Sequence, residues 1–314
     1  MPLDPDAETL LAMIRASGRP PMETLTPDEA RKVFAAGRTV VQPDPQEVAE
    51  VRDFTCPGPL GDIKLRSYRP IGTNADEVLP ALVYFHGGGW LLGDLDSHDV
   101  ACRHYANGAR CRVVSVDYRM APEHKFPAAV DDSAAATRWV IAQADALGID
   151  RNRVAVGGDS AGGNLAAVMA LMARDGDLPP LAFQLLVYPA TDMGATYGSY
   201  QRVTEGVPLT TKTMHWFIDY YLRGPQDRHD WRASPMRAAT LSGTAPALVL
   251  TASYDPLCDE GIAYAQRLER EGVHVTLVHF SDQIHGFVGQ GRIIRAGNLA
   301  LDMMAAALKK ALWP

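Results

Sequence analysis

The sequence predicts an α/β protein with a predominantly parallel central sheet and helices on both faces. From about residue 80 to residue 188, short apolar runs typical of buried strands alternate with longer helix-forming stretches. The alternation stops near Pro189 and resumes near Ala245. Because the same pattern continues after this gap, we interpret residues 190–235 as an insertion between two strands of one sheet.

Each predicted element has a local signal. Residues 1–45 have the pattern of helices interrupted by prolines, and Thr26 followed by Pro27 marks one helix start. Antiparallel strands are expected at 48–56 and 63–69. The alternating region then contains strands at 80–86, 112–118, 153–157 and 182–188, with helices at 127–147 and 161–174. An aromatic-rich helix at 211–222 lies in the insertion, and strands at 247–252 and 273–280 complete the sheet.

The composition excludes several classes of function. The chain has 314 residues, of which 47% are hydrophobic, so it can bury a large core. Its net charge is −7 and it has no basic run, which excludes a nucleic-acid partner. The acidic N-terminus does not have the pattern of a signal peptide, and no stretch reaches the ~18 apolar residues of a membrane span. We therefore expect a cytoplasmic protein.

The cysteines and histidines indicate no metal site. The four cysteines, Cys56, Cys102, Cys111 and Cys258, show no C-x-x-C spacing and are predicted to be small buried side chains. No H-E-x-x-H or similar pattern occurs in the chain.

One glycine-rich turn is the most informative chemical motif of the chain. Residues 158–162 read Gly-Asp-Ser-Ala-Gly, between a short apolar strand and a helix. This is the G-x-S-x-G pattern of a nucleophile elbow, in which glycines leave space for a sharp strand-to-helix turn. The turn exposes the hydroxyl of Ser160 at a helix N-terminus, where negative charge is favoured. Taken alone, the pattern also fits an ordinary glycine-rich turn.

A second glycine-rich segment, His86-Gly87-Gly88-Gly89-Trp90, follows a predicted central strand. Consecutive glycines let backbone N–H groups converge on one point. Acyl transfer needs such donors, because its tetrahedral intermediate carries an oxyanion. An HGGG-type loop is the oxyanion element of lipases and esterases, and here it precedes the elbow in the required order.

Asp255 and His285 complete the pattern, because each comes just after a predicted strand. The order Ser160, Asp255, His285 is that of α/β-hydrolases and differs from the order in chymotrypsin or subtilisin. Open α/β sheets place their ligand sites just beyond such strand ends. We expect His285 to remove the proton of Ser160, and Asp255 to hold the imidazole tautomer and stabilise its cationic form.

Together these motifs resemble those of the hormone-sensitive-lipase-like family of α/β-hydrolases, the bacterial family IV esterases. The resemblance covers essentially the whole chain and includes Asp-Tyr-Arg-Met-Ala-Pro-Glu at 117–123 and His-Gly-Phe at 285–287. It implies an α/β-hydrolase fold with its core at 47–189 and 236–314. It also implies that residues 1–46 and 190–235, the two cap segments, form a helical cap over the active site.

The elbow pattern and the resemblance assign further site residues. The backbone N–H of Ala161 is an oxyanion donor by the geometry of the elbow, and the resemblance implies Gly88 and Gly89 as the other donors. Five residues are candidates for the substrate pocket, with packing of the cap on the core as the alternative for each: Trp90, Tyr188, Met214, Phe217 and Ile218.

Three polar features are predicted to be structural. We expect His86 to hold the glycine-rich loop by hydrogen bonding, and the side chain of Asp159 to point away from the site. Residues 117–119 and Glu123 are expected to brace the oxyanion loop as one network of ion pairs and hydrogen bonds.

The combined prediction is a serine carboxylesterase that hydrolyses short- to medium-chain acyl esters through an acyl-enzyme, without cofactor or metal. Its expected partner is a small-molecule ester, and association into a homodimer is left open. One alternative is a binding protein: plant gibberellin receptors resemble this family but lack the catalytic histidine, whereas His285 is present here. The other is hydrolysis of a lactone, peptide or acetyl-amide, since these reactions use the same groups.

Overall fold

The computed structural model describes residues 1–313 and contains one eight-stranded sheet. The strands are β1 (Glu50–Gly58), β2 (Gly61–Arg69), β3 (Leu79–Phe85), β4 (Arg112–Asp117), β5 (Ile149–Asp159), β6 (Phe183–Val187), β7 (Ala247–Tyr254) and β8 (Val275–Ile284). Their order in the sheet is β1-β2-β4-β3-β5-β6-β7-β8. β2 is antiparallel to both of its neighbours, and all other pairs are parallel. The predicted fold class is confirmed.

Ten α-helices accompany the sheet within residues 1–313. They are α1 (Pro5–Ala16), α2 (Pro27–Val41), α3 (Asp99–Ala109), α4 (Ala128–Ala142), α5 (Ala144–Leu147), α6 (Ala161–Arg174), α7 (Gly198–Arg202), α8 (Thr211–Tyr221), α9 (Cys258–Arg270) and α10 (Arg295–Leu312). None of these helices combines the length and the apolar character that crossing a membrane requires.

The central strand β3 shows how the core is divided. All of its residues are buried, because helices cover both faces of a parallel sheet. Val83 and Phe85 join the apolar cluster that includes α4 and α6. Leu82 and Tyr84 point to the other face and join the cluster that includes α3 and α10. The ends of the central strands are thus held rigidly from both sides.

Some helix boundaries follow local signals and others do not. Thr26 caps α2 as predicted, since its Oγ1 accepts the Glu29 N–H at 3.4 Å while its own N–H donates to the Glu29 carboxylate at 2.9 Å. The helix predicted at 127–147 is divided into α4 and α5. The sequence predictions do not include α3, which contains Asn107 and Gly108, two residues of low helix propensity. Packing of α3 on α10 outweighs this local preference, and α10 was not predicted either.

The two cap segments touch each other and the core. The Thr213 hydroxyl of the second segment donates to the Glu23 carboxylate of the first at 2.8 Å. Both ends of the second segment are tied to α6 by Asn164, whose side-chain amide donates to the carbonyls of Ala190 and Ala233, each at 2.8 Å. The insertion therefore leaves and re-enters the core at one anchored point.

Candidate active site

Ser160 lies at a sharp turn between β5 and α6. Its backbone has φ 55° and ψ −116°, a conformation that residues with a Cβ atom rarely adopt. A Cβ on Gly158 would collide with the backbone of Gly162, and a Cβ on Gly162 would collide with the Phe85 carbonyl. Both glycines are therefore needed for this close approach, which holds the strained serine at the end of β5.

The side chains of Ser160, His285 and Asp255 form one chain of hydrogen bonds. Ser160 Oγ lies 3.0 Å from His285 Nε2, and His285 Nδ1 lies 2.6 Å from Asp255 Oδ2. Because a carboxylate only accepts, Nδ1 carries the proton and Nε2 is left to accept from the serine hydroxyl. Asp255 is fully buried, and its Oδ1 accepts the Leu257 N–H at 2.8 Å. The structure thus brings the three predicted residues together.

The glycine-rich loop after β3 has a backbone that favours glycine. Gly88 has φ 121° and Gly89 has φ 61°. A Cβ on Gly88 would collide with the Leu92 carbonyl, and a Cβ on Gly89 would collide with the ring of Phe217. Ala161 is the first residue of α6, where a helix offers no internal acceptor for the N–H group. Two of the predicted donors thus lie in a loop that lines the cavity with Ser160, and the third directly follows this serine.

His86 supports this loop from below. Its ring stacks on Tyr118 with centroids 4.4 Å apart, and the Tyr118 hydroxyl donates to the His86 carbonyl at 2.7 Å. His86 Nδ1 lies 2.9 Å from the Gly87 carbonyl. Burial lowers the pKa of His86 to about 4, so its imidazole is neutral at physiological pH. These contacts agree with the structural role expected for His86.

Ser160 and His285 open into a cavity of about 870 Å³. Residues from both cap segments line it together with the glycine-rich loop. Its apolar lining includes Leu10, Ile14, Val41, Leu209, Met214 and Phe217. A concave, mostly apolar cavity with a few polar groups at one end is typical of a small-molecule site.

Comparison with known proteins identifies the family. The family model described as alpha/beta hydrolase fold matches residues 82–289, more than half of the chain. The chain belongs to this family. This α/β-hydrolase is 39% identical over 316 residues to an ethyl acetate hydrolase from Pseudomonas putida, with 99% of both chains covered.

Two further comparisons agree with this result. A carboxylesterase from Mycobacterium tuberculosis is 45% identical over 257 residues, which covers 81% of this chain and 80% of that protein. The solved structure of an ester hydrolase from the metagenome of Lake Arreo is 43% identical, with a TM-score of 0.95 and 98% of each chain covered. The predicted resemblance to hormone-sensitive-lipase-like esterases is confirmed.

The predicted pocket residues of this α/β-hydrolase fall into two groups. Tyr188, Met214 and Phe217 line the cavity, and the Tyr188 ring lies 4.6 Å from the His285 ring, centroid to centroid. Trp90 and Ile218 are buried outside the lining. The indole of Trp90 stacks on Tyr221 at 4.4 Å, and Ile218 packs in the core cluster below α8. For these two residues the structure favours the packing alternative, since Trp90 lies under Tyr221 of α8 and Ile218 directs its own side chain from α8 into the core.

The polar cluster at 117–123 also differs from its prediction. Of the four residues predicted to brace the loop, Tyr118 is the one that hydrogen-bonds to it, and the Ala121 N–H also donates to the Trp90 carbonyl at 2.9 Å. Arg119 forms a bidentate pair with buried Asp132, at 2.6 and 2.8 Å. Glu123 pairs with Arg31 of α2 at 2.6 Å, which places it at the cap. Tyr118, Arg119 and Glu123 thus have three different sets of partners and do not form one network.

The structure also reveals site residues that the motifs did not indicate. His98 lines the cavity and lies 3.2 Å from Asp159 Oδ2, although no sequence pattern singles it out. The only available signal is its position shortly after the glycine-rich loop. Within residues 1–313, no group of three His, Cys, Asp or Glu side chains is arranged to hold a metal ion.

Proposed function

We propose that this α/β-hydrolase cleaves carboxylic esters with short- to medium-chain acyl groups, with Ser160 as nucleophile, His285 as general base and Asp255 as its orienting carboxylate. The observation that carries the proposal is the continuous hydrogen-bond chain between these side chains at the end of an apolar cavity. A nucleophile and a base at hydrogen-bond distance, with a third group orienting the base, is the arrangement that covalent acyl transfer uses.

The class of enzyme follows from the relatives. Two of these relatives are 39% and 45% identical to this chain over most of its length, and the names of both describe enzymes that hydrolyse esters. This chain is an enzyme of that class, a serine carboxylesterase. The names of individual relatives, such as ethyl acetate hydrolase, state the substrates of those proteins and do not decide the acyl preference here.

The first half of the reaction forms an acyl-enzyme. Ser160 Oγ attacks the ester carbonyl carbon while its proton passes to His285 Nε2. The Asp255 carboxylate accepts from Nδ1–H and stabilises the imidazolium. The carbonyl oxygen becomes an oxyanion, and we assign the N–H groups of Gly88, Gly89 and Ala161 as the donors that stabilise it. Collapse of this intermediate breaks the ester C–O bond, and His285 returns the proton to the leaving alcohol.

The second half releases the acid. A water molecule gives a proton to His285 Nε2 as its oxygen attacks the acyl carbon. The same N–H groups stabilise the second oxyanion. The bond to Ser160 Oγ then breaks, and the proton on His285 moves to that oxygen. The products are the carboxylic acid, the alcohol and the original serine.

The shape of the cavity supports the acyl range proposed. Met214 and Phe217 of α8, and Tyr188 after β6, line it close to the glycine-rich loop. Apolar side chains near the reacting carbon favour an alkyl chain over a charged one. Side chains of α1 and α2 also line the cavity, so both cap segments bound the space that an acyl chain would occupy.

Labelling and a substrate panel test the proposal. A fluorophosphonate should attach to Ser160, with one label per chain in mass spectrometry and none in Ser160→Ala. p-Nitrophenyl esters from acetate to dodecanoate should give the highest kcat/KM among the short and medium acyl chains. Absence of both labelling and ester hydrolysis in the folded protein would favour a binding role. A homodimer and a cytoplasmic location stay predictions, to be tested by light scattering and by fractionation.

A further inference from the structure

A second polar cluster, of Tyr84, His98 and Asp159, lies beside the glycine-rich loop and contributes to the lining of the same cavity. Asp159, the residue before the nucleophile, directs its carboxylate toward this loop. Its Oδ1 accepts the Gly87 N–H at 3.0 Å and the Tyr84 hydroxyl at 2.8 Å. His98 Nε2 lies 3.1 Å from Oδ1 and 3.2 Å from Oδ2. The mechanism given above uses none of these side chains.

The contact between Asp159 and the loop is close enough to exclude a side chain. A Cβ on Gly87 would collide with the Asp159 carboxylate. Gly87 is the first glycine of the loop, and Gly88 and Gly89 follow it directly. The bond to Asp159 therefore anchors the loop at Gly87, one and two residues before the N–H groups of Gly88 and Gly89.

His98 is itself held from behind. Its Nδ1 lies 2.9 Å from Ser97 Oγ, and this oxygen accepts the Asp94 N–H at 2.9 Å. A carboxylate only accepts, so Nε2 must donate to Asp159. In the neutral imidazole, Nδ1 then accepts the Ser97 hydroxyl. In the imidazolium, Nδ1 donates and the Ser97 hydroxyl turns to the Asp94 carbonyl, 2.7 Å away. Both protonation states keep the bond to Asp159.

We propose that His98 is a positioning residue that acts through Asp159: it holds the carboxylate against the Gly87 N–H and so aims the oxyanion donors of Gly88 and Gly89. The inference rests on the proposed function, because it concerns the rate of ester hydrolysis. Both side chains are 14% exposed, so solvent weakens this pair little.

The charge of Asp159 depends on its neighbours. Burial raises its pKa, but the charge and hydrogen bond of His98, the Tyr84 hydroxyl and His86 outweigh this and lower the pKa to about 2. The groups that face His98 are Asp159, Tyr84 and His86, with Asp94 behind Ser97. Removing His98 would remove both its charge and its hydrogen bond, so the pKa of Asp159 would rise and it would take up a proton at a higher pH.

The test compares His98→Ala with a matched control, His104→Ala. His104 lies on α3, which begins directly after His98, and it also pairs with an aspartate, Asp302 of α10, at 2.9 Å. We expect His98→Ala to lower kcat for p-nitrophenyl acetate by roughly 10- to 100-fold, less than loss of a whole oxyanion donor. KM should stay within about threefold because substrate binding precedes oxyanion formation. His104→Ala should match the wild type.

Two further readouts separate positioning from general stability. An alkylboronic acid forms a tetrahedral adduct on the serine, so its Ki should rise in His98→Ala by about the same factor as kcat falls. His98→Gln, whose amide N–H can donate to Asp159, should recover part of the lost kcat. The kcat/KM of His98→Ala should also show an added loss at acid pH as Asp159 takes up its proton.

Several results would overturn the inference. The first is that His98→Ala folds and has the same kcat and the same boronate Ki as His104→Ala. The second is that the kcat of His98→Gln is no higher than that of His98→Ala. If His98→Ala does not fold, Asp159→Asn replaces it, with the same expected loss and the same criterion. If the wild type hydrolyses esters and these variants have the same kcat, only the role of His98 is overturned. If the wild type neither hydrolyses esters nor takes the label, the proposed function is overturned.

Discussion

The floor and the roof of the cavity are held in different ways. The floor, formed by Ser160, Asp255, His285 and the glycine-rich loop, rests on buried strand ends and on hydrogen bonds between 2.6 and 3.0 Å. The roof, formed by α1, α2 and α8, presents mainly apolar side chains to the cavity. Its outer ties include exposed ion pairs such as Asp6 with Arg295, and solvent screens pairs of this kind.

This difference assigns the chemical steps to the floor and the selection of the substrate to the roof. A reaction that develops charge gains most from donors that are already in place, which a buried hydrogen-bonded floor supplies. An apolar roof recognises size and shape, and small changes in its side chains alter the space without disturbing the proton transfers. Variants of the floor should therefore lower every rate, whereas variants of the roof should change relative rates.

The largest effect is expected from the floor. Ser160→Ala should lower kcat by roughly 10⁴–10⁶-fold, because removing one member of such a triad stops the whole unit. Circular dichroism and the melting temperature should stay near those of the wild type. Ser242→Ala, which changes an exposed loop serine, is the control and should keep full activity. More than a tenth of the wild-type rate in Ser160→Ala would remove the serine from its proposed role.

Deleting residues 1–45 tests whether the roof is dispensable for folding. The sheet begins at Glu50, so the α/β circular dichroism should persist. The cavity would lose the wall formed by α1 and α2, and kcat/KM should fall by about 100-fold as substrate is misplaced. Aggregation should increase, since the buried contacts of Leu10 and Leu11 would leave an exposed apolar patch.

The control for this deletion is Asp6→Asn, which removes an exposed ion pair with Arg295 but keeps the helix. It should behave like the wild type. Full activity in a soluble deletion variant would show that the first cap segment plays no part in ester turnover.

A single roof residue should change selectivity. Met214→Ser shortens a side chain that lines the cavity, so the preferred acyl chain should lengthen. One methylene in an apolar pocket changes the discrimination between two substrates by about 1–3 kcal/mol, so relative kcat/KM values should shift by about 10-fold. Ile218→Ala, one turn further along α8 and outside the lining, is the matched control. It should cost about 2–5 kcal/mol of stability and leave the order of substrates unchanged.

The smallest effect concerns the joint between floor and roof. Glu260 of α9 is fully buried, and its Oε1 accepts the N–H groups of Thr191 and Asp192 at the start of the second cap segment, at 2.6 and 3.2 Å. Burial raises the pKa of Glu260 from 4.5 to about 8. Its contribution to stability is thus complete below pH 4.5 and is lost as the pH rises through about 8.

Glu260→Gln should therefore melt a few degrees higher than the wild type at pH 9 and lose this advantage at pH 6. Thermal melts at both pH values measure the difference. Glu269→Gln, an exposed glutamate of the same helix, should show no such pH dependence. Equal shifts for both variants would mean that Glu260 does not stay protonated in the folded protein.

Much of the floor is predictable from local patterns. Gly158 must lack a side chain because Gly162 lies against it only four residues along the chain, so this part of the turn is visible in the sequence, whereas Gly162 is required by the distant Phe85 carbonyl. The order of the three catalytic candidates follows from the order of the strands. Trp90 is different, because its burial depends on Tyr221, more than a hundred residues further along the chain. No local pattern could show that α8 covers it.

The sequence by itself determined the class of fold, the order along the chain of the strands that carry the site, and the residue types that acyl transfer requires. These features depend on periodicity, turn sterics and chemistry within short segments. Only the tertiary structure decided which side chains face the cavity, and it alone brought His98 to Asp159 and Glu260 to Thr191. These contacts join segments about 60–70 residues apart, and burial and close packing, not local preference, select them.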